Sequence, residues 1–325
     1  MSAGIPLTQP EMSVIVITPD TFATIARTVR HLHEQSVRDR LEIVIAAPAK
    51  SALLLQEEAL RGFHSVKVIE VGEITSTARA RAAGVFAASA PVVAFVEDHS
   101  FPAEGWAEAL IGAHRQPWAA VGPAMINANP ATLASWVSLL IEYGQWLDPC
   151  EAGVRDHLPG HNGSYKRALL VDYGDRLEAM IDAESILQWD LRAKGHELYL
   201  ESAAKTHHNN FSVGFSWLSL RFNGGRLFAA ARARRWPAPR RMLLALASPL
   251  IPFVRLRRLV KELRAPGRRR DLLPRIVPLL FASLVVDATG EMVGYAFGAG
   301  DAMRKLSDLE FHRHRFVAKS ELTAA

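Results

Sequence analysis

Val92-Val93-Ala94-Phe95-Val96 constrains this chain more than any other stretch. An apolar, strand-forming run stops abruptly on Glu97-Asp98-His99. A half-exposed strand alternates apolar and polar residues. An unbroken apolar run therefore implies a strand covered on both faces, as in a parallel sheet between layers of helices. In such sheets the ligand crevice lies just beyond the carboxyl ends of the strands. Three adjacent side chains able to bind metal or exchange protons are thus expected at a site rather than in a solvated turn.

The same signal recurs along the first hundred residues. Met12–Thr18 (MSVIVIT) is a strand pattern ending at Pro19-Asp20, followed by helical spacing of Phe22, Ile25, Val29 and Leu32 over 21–35, with Thr21 as cap. Leu41–Ala46 and Val66–Val71 read as strands, Ser51–Arg61 and Ser76–Ala88 as helices. Strand and helix alternate, which predicts an α/β fold with a doubly wound, mostly parallel sheet. Further on, Trp106–His114, Ala131–Trp146 and Glu184–Lys194 read as helices, the last closed by Gly195, and Ala119–Ile126 and Glu197–Glu201 as strands. Trp136, Tyr143 and Trp146 stand at a spacing that usually marks core.

The character changes near residue 221, which suggests a sheet domain over 1–220 and a helical, basic region over 221–325. Residues 221–270 hold fifteen Lys and Arg against the single acid Glu262, while the whole chain carries only +5. A block this basic points to a polyanionic partner, an anionic membrane surface or nucleic acid. Its aromatics (Phe222, Phe228, Trp236, Phe253) are scattered rather than interleaved, which disfavours nucleic acid. The apolar runs Met242–Val254 and Leu272–Val286 contain prolines and adjoin arginines. A spanning helix needs about 20 uninterrupted apolar residues, so helices lying in the membrane interface are expected instead. Residues 1–12 show no signal-peptide pattern, and the lone Cys150 excludes an internal disulfide and suits a reducing compartment.

Five motifs in order resemble the family 2 glycosyltransferases, which have the GT-A fold and transfer a sugar from a nucleotide donor with inversion. They are Thr18-Pro19-Asp20 after the first strand, Ala80-Arg81-Ala82-Ala83-Gly84, Glu97-Asp98-His99, the loop Gly160-His161-Asn162-Gly163-Ser164, and Glu184 eleven residues before the end of Leu191-Arg192-Ala193-Lys194-Gly195. The resemblance covers roughly residues 12–210. It implies donor contacts from Thr18, Pro19, Asp20, Arg81 and Asp98, and acceptor contacts from His161, Asn162 and Gly163. It places the catalytic base at Glu184, with Asp182 nearby, and metal ligands at Glu97, Asp98, His99 and His207 or His208. Two departures stand out. The second strand ends Ala46-Ala47-Pro48 with no carboxylate for the nucleotide base, and His99 replaces the terminal aspartate of the metal motif.

The chemistry agrees with that expectation. A departing nucleoside diphosphate carries charge that a carboxylate-held Mg²⁺ or Mn²⁺ offsets, and an imidazole ligand favours Mn²⁺. Inverting transfer needs a general base on the acceptor hydroxyl. The expected partners are a nucleotide sugar, a glycan or lipid-linked acceptor of the cell envelope, and the inner face of a membrane, where the protein would sit peripherally in the cytoplasm. A sugar-phosphate nucleotidyltransferase is the competing enzyme. Such enzymes carry a Gly-rich loop with a lysine after the first strand, and Thr18–Thr21 has neither. A catalytically degenerate scaffold of the same fold is the non-enzymatic alternative.

Overall fold

The computed structural model describes residues 9–182, 184–213, 216–311 and 313–322, without the side chains of 184, 216, 314, 320 and 322. The chain runs through β1 (Met12–Ile17), α1 (Phe22–His33), β2 (Leu41–Ala47), β3 (Ser65–Glu70), α2 (Thr77–Ala87) and β4 (Val92–Val96). Next come β5 (Ser100–Pro102), α3 (Trp106–Ala113), β6 (Ala120–Asn127), α4 (Leu133–Tyr143), β7 (Gly153–Arg155) and β8 (Ser164–Lys166). Helices α5 (Arg167–Val171), α6 (Leu177–Ile181) and α7 (Glu184–Ala193) lead into β9 (Leu198–His208). The remainder is helical: α8 (Ser216–Arg232), α9 (Ala238–Ala247), α10 (Ile251–Leu263), α11 (Leu273–Phe297), α12 (Ala302–Phe311) and α13 (Lys319–Leu322).

Among the described residues the strands form one sheet in the order β3-β2-β1-β4-β8-β6-β9-β5, with β7 also paired to β9. The first four are mutually parallel, as their apolar runs predict, and β8 joins antiparallel on β4 and on β6. Val16 pairs with Val96, so β1 and β4 end level and present Thr18 and Glu97 at the same edge. The chain divides into two compact units, Met1–Ala124 with Glu151–Thr206 and Met125–Cys150 with His207–Ala325.

In the first unit, β1 and β2 are buried along their whole length and share a core with Ile25, Val29, Leu32 and Trp106. Helix α2 is small on its packed face, and Gly84 lies so close to β1 that a Cβ there would meet Ile15 at 2.6 Å. The Ser51–Arg61 stretch is not the expected helix. It makes only single turns at Lys50–Ala52 and Glu57–Leu60 around buried Leu53, whose carbonyl accepts the Phe22 N–H. Leu54 takes φ +50° and is exposed, as is Leu55, so an apolar helical face would have had no core to meet.

A fully buried carboxylate interrupts β2. Glu42 accepts hydrogen bonds from Ser13 Oγ, from Ser89 N–H (2.8 Å) and Oγ (2.7 Å), and pairs with Lys67 Nζ at 2.8 Å. Burial raises its pKa, but Lys67, Ser13 and Ser89 together outweigh burial and bring it down to about 2.

In the second unit α8 and α11 touch backbone to backbone. A Cβ at Gly225 would run into the Asp287 carbonyl, and Cβ atoms at Gly290 and Gly294 into those of Phe222 and Arg226. The small-xxx-small spacing of Gly290 and Gly294 gives this close approach its period. Contrary to the expectation of a proline-broken run, α11 is continuous through Pro278. Pro274 sits in the first turn, where no N–H bond exists to lose, and Pro278 forfeits a single bond one turn in. By length and composition Arg270–Phe297 is therefore long and apolar enough to cross a membrane, with 44% of its most apolar window buried. Its carboxylates Asp287 and Glu291 are buried beside Arg255. Burial and the Asp287 charge push Glu291 up to about 7, against the pull of Arg255 and Arg232.

Two stability measurements check these carboxylates. Glu42→Ala should lose about 3–5 kcal/mol in urea unfolding at neutral pH, because Lys67 and the hydroxyls are left around a missing partner. That deficit should shrink as pH falls from the unfolded value of 4.5 towards 2, where native Glu42 itself takes up a proton. Glu291 has the opposite sign: its raised native pKa makes the protein lose stability as pH rises from 4.5 to about 7. Glu291→Gln should flatten that slope in the urea midpoint and leave the acid side unchanged.

Candidate active site

The carboxyl edge of β1 and β4 is built around Glu97, only 9% exposed. His161 Nδ1 lies 3.0 Å from its Oε1, while Asn162 Nδ2 (2.8 Å) and Ser100 Oγ (3.3 Å) donate to its Oε2. Arg81 is 5% exposed, 3.9 Å from Glu97 Oε1, with its guanidinium 5.6 Å from the centre of the Phe95 ring. Arg81 is thus a buried countercharge rather than a solvated helix charge. The small residues of α2 bring it there, and the loop after β7 brings His161 and Asn162.

Asp98 and His99 form a second pair. Asp98 Oδ1 lies 2.6 Å from His99 Nδ1, and His99 Nε2 lies 3.5 Å from Glu97 Oε2. A carboxylate that accepts the Nδ1 proton fixes the tautomer whose Nε2 carries a lone pair, the arrangement found behind metal-bound histidines. Glu97 and His99 therefore present an oxygen and a nitrogen close enough to share one cation.

Residues not anticipated as functional hold this motif in place. Thr28, buried on the core face of α1, has its hydroxyl 2.8 Å from the Asp98 carbonyl, 3.2 Å from that of Ser100 and 3.3 Å from that of Glu97. Gln188, 1% exposed on α7, accepts from Leu158 N–H (2.9 Å) and donates to the Leu158 carbonyl (3.2 Å) and to Tyr165 Oη (3.2 Å). It thereby ties α7 to the loop that carries His161 and Asn162. Both are polar residues on otherwise apolar helix faces, which is the signal by which they are found.

The remaining expected residues fall as follows. Thr18 donates to the Thr21 carbonyl (2.7 Å), and Asp20 accepts from Thr24 Oγ1 (2.6 Å) and Thr21 N–H (2.5 Å), so both brace the turn before α1, whose N-cap residue Thr21 makes no side-chain capping bond. The Gly163 carbonyl accepts from Phe95 N–H, which fixes the 160–164 loop against β4. Asp182 caps α6 and is partly buried. Glu184 begins α7, and its side chain lies outside the described residues. His207 and His208 end β9 in the second unit, where His208 Nδ1 meets Asn210 Oδ1 at 2.8 Å and its ring lies 4.7 Å from that of Tyr143. Trp136, Tyr143 and Trp146 are buried in the same unit.

A parallel nucleotide-type half-sheet, continued by antiparallel strands and carrying an acidic motif at its carboxyl edge, is the framework of GT-A glycosyltransferases. Residues 13–174 match Glycosyl transferase family 2, and over that range the chain belongs to this family. Among solved structures, it is similar to the mannosyltransferase PcManGT from Pyrobaculum calidifontis in complex with GDP-Man and Mn²⁺, with a TM-score of 0.54 and 16% identity over 90% of this chain and 88% of that one. GalNAc-T7 with UDP, GalNAc and Mn²⁺ matches at TM-score 0.47 and 14% identity, over 62% of this chain and 43% of that chain. S. aureus TarS 1–349 matches at 0.45 and 16%, over 88% and 90%. No curated protein matches the chain.

The support of the motif by Thr28 is directly measurable. Thr28→Val keeps shape and removes the hydroxyl that faces three buried carbonyls, so stability should fall by about 1–2 kcal/mol. Hydrogen exchange should rise locally over 97–100. Unchanged exchange there would show that the β4–β5 turn stands without it.

Proposed function

We propose that the protein transfers a sugar from a nucleotide-sugar donor to an acceptor hydroxyl, with inversion and with the help of a divalent cation. The observation that carries this reading is the Asp98–His99–Glu97 arrangement at the carboxyl edge of a family 2 domain. Glu97 and His99 would hold the cation. Asp98 orients His99, and Arg81 offsets the Glu97 charge. A bound Mn²⁺ or Mg²⁺ supplies positive charge that stabilises the departing diphosphate. An imidazole in the set favours Mn²⁺, and PcManGT, which shares the fold, is described with GDP-Man and Mn²⁺.

Thr18, Pro19 and Asp20 border the donor crevice at the end of β1, and Glu184 is the proposed base, with Asp182 the nearest alternative. Gln188 fixes the helix that Glu184 begins. The acceptor is a glycan or a lipid-linked saccharide, and the protein works peripherally at the inner face of a membrane. The basic residues 221–270 support this placement. The contrary reading, a domain that keeps the fold without transfer, is favoured by one feature: both Glu97 oxygens already accept hydrogen bonds within the protein.

One set of assays decides between them. Nucleotide release from a panel of UDP- and GDP-sugars should require Mn²⁺ or Mg²⁺ and vanish in EDTA. Asp98→Asn should weaken Mn²⁺ affinity by about 10–100-fold, the usual effect of removing a carboxylate behind a metal-bound histidine. Glu184→Gln should keep donor affinity and lower transfer by about 10²-fold or more. Donor binding that ignores both EDTA and Asp98→Asn would remove the metal from the proposal. Release from no nucleotide sugar would favour the scaffold.

A further inference from the structure

The basic block contains a feature that composition alone does not show. Met242, Leu243, Leu246, Leu250, Phe253 and Val254 are all exposed, Leu246 by 77% and Val254 by 69%. They lie within thirteen residues of one kinked helical stretch, on α9, the tight helical turn Ser248–Leu250 and the start of α10. The opposite side of this stretch is buried at Ala245, Ser248, Pro252 and Leu259, so its packing against the rest of the unit is already satisfied. The thirteen residues 242–254 contain no charged residue, and arginines flank them at 240, 241, 255, 257 and 258. Monomeric proteins rarely leave so many contiguous large apolar side chains in water.

Helix α10 continues the pattern in two stripes. Phe253, Leu256 and Val260 line an open groove of about 430 Å³, and Arg257, Lys261 and Arg264 line its other side. The cations on this rim are exposed. Arg255, by contrast, is tied to Asp287, and Arg241 donates to the Tyr295 and Ala296 carbonyls, so neither belongs to the rim. Apolar groups reaching outward beside a row of exposed cations match the two layers of an anionic membrane surface, acyl chain and phosphate headgroup. The thirteen uncharged residues are too few to span, since crossing takes about 20.

We propose that the kinked helical stretch α9–α10 is the element that inserts into an anionic bilayer interface, with Arg257, Lys261 and Arg264 on the headgroups. This rests on the membrane placement above and adds which residues enter the lipid, with α11 staying packed on α8 instead. The full-length protein is tested by flotation with phosphatidylcholine vesicles, with and without phosphatidylglycerol. The wild type should float only with the anionic lipid. The triple variant Leu246→Ser, Leu250→Ser, Phe253→Ser should lose about tenfold or more in recovery, and Arg257→Glu with Lys261→Glu should lose binding at lower salt than wild type. All five side chains are exposed or at the rim, and an unchanged urea midpoint confirms that the variants fold.

Depth is read separately by an environment-sensitive fluorophore, with Cys150→Ala as background. A probe on Leu250→Cys should shift to the blue with anionic vesicles, and one on Met292→Cys of α11 should not. If the wild type floats while the triple variant floats equally, or the α11 probe shifts instead, α9–α10 is not the inserting element and the membrane reading survives. If the wild type floats with neither vesicle, both fail. A dimer dissolved by the triple variant, without flotation, would assign the face to a second copy of this chain.

Discussion

The buried carboxylate of Glu97 is the constraint from which the candidate site is built. An ionised carboxylate with little access to water is costly unless it is paired and hydrogen-bonded. Its partners come from three separate parts of the chain: Arg81 from α2, Ser100 from the start of β5, and His161 with Asn162 from the loop before β8. Satisfying one charge therefore fixes three segments at the carboxyl edge of the sheet. Thr28 and Gln188 extend that order outward, one to the backbone of the motif and the other to α7. The result is a cluster of side chains already held in place by one another at the carboxyl edge of the sheet.

The sheet carries a second buried carboxylate with a different purpose. Glu42, near the amino end of β2, is enclosed by Lys67, Ser13 and Ser89 and has no place for a further ligand. Its neighbours come from β1, β3 and the segment after α2, so it braces the parallel strands at the end opposite the crevice. Glu97 differs in having an imidazole nitrogen 3.5 Å away whose tautomer a third carboxylate sets. Burial alone does not distinguish a structural acid from a functional one.

The arginine-rich region divides in the same manner. Arg221 pairs with Glu142, Arg226 donates to the Gly298 carbonyl, and Arg255 meets Asp287, all within the second unit. These hold helices together around the glycine contacts of α8 and α11. Arg235, Arg257, Lys261 and Arg264 stay exposed. A count of charges merges the two groups, which respond differently to salt and to substitution because screening reaches only the exposed set.

The sequence by itself determined the elements whose signal is local. Unbroken apolar runs marked β1, β2 and β4, Gly195 ended α7 in the left-handed region, and the motif order located the carboxyl edge of the sheet. Strands β5, β7 and β8 are three residues each, too short to show a period, and exist because longer strands offer them hydrogen bonds. The Ser51–Arg61 stretch has helical spacing but no core to face, and α11 passes through Pro278 because a proline one turn from the helix start forfeits a single hydrogen bond while the rest of the helix packs on α8. That Arg81, His161 and Asn162 converge on Glu97 was likewise decided only in three dimensions. Periodicity is a property of neighbours in sequence, whereas the burial and pairing of a charge depend on residues that only the completed sheet brings together.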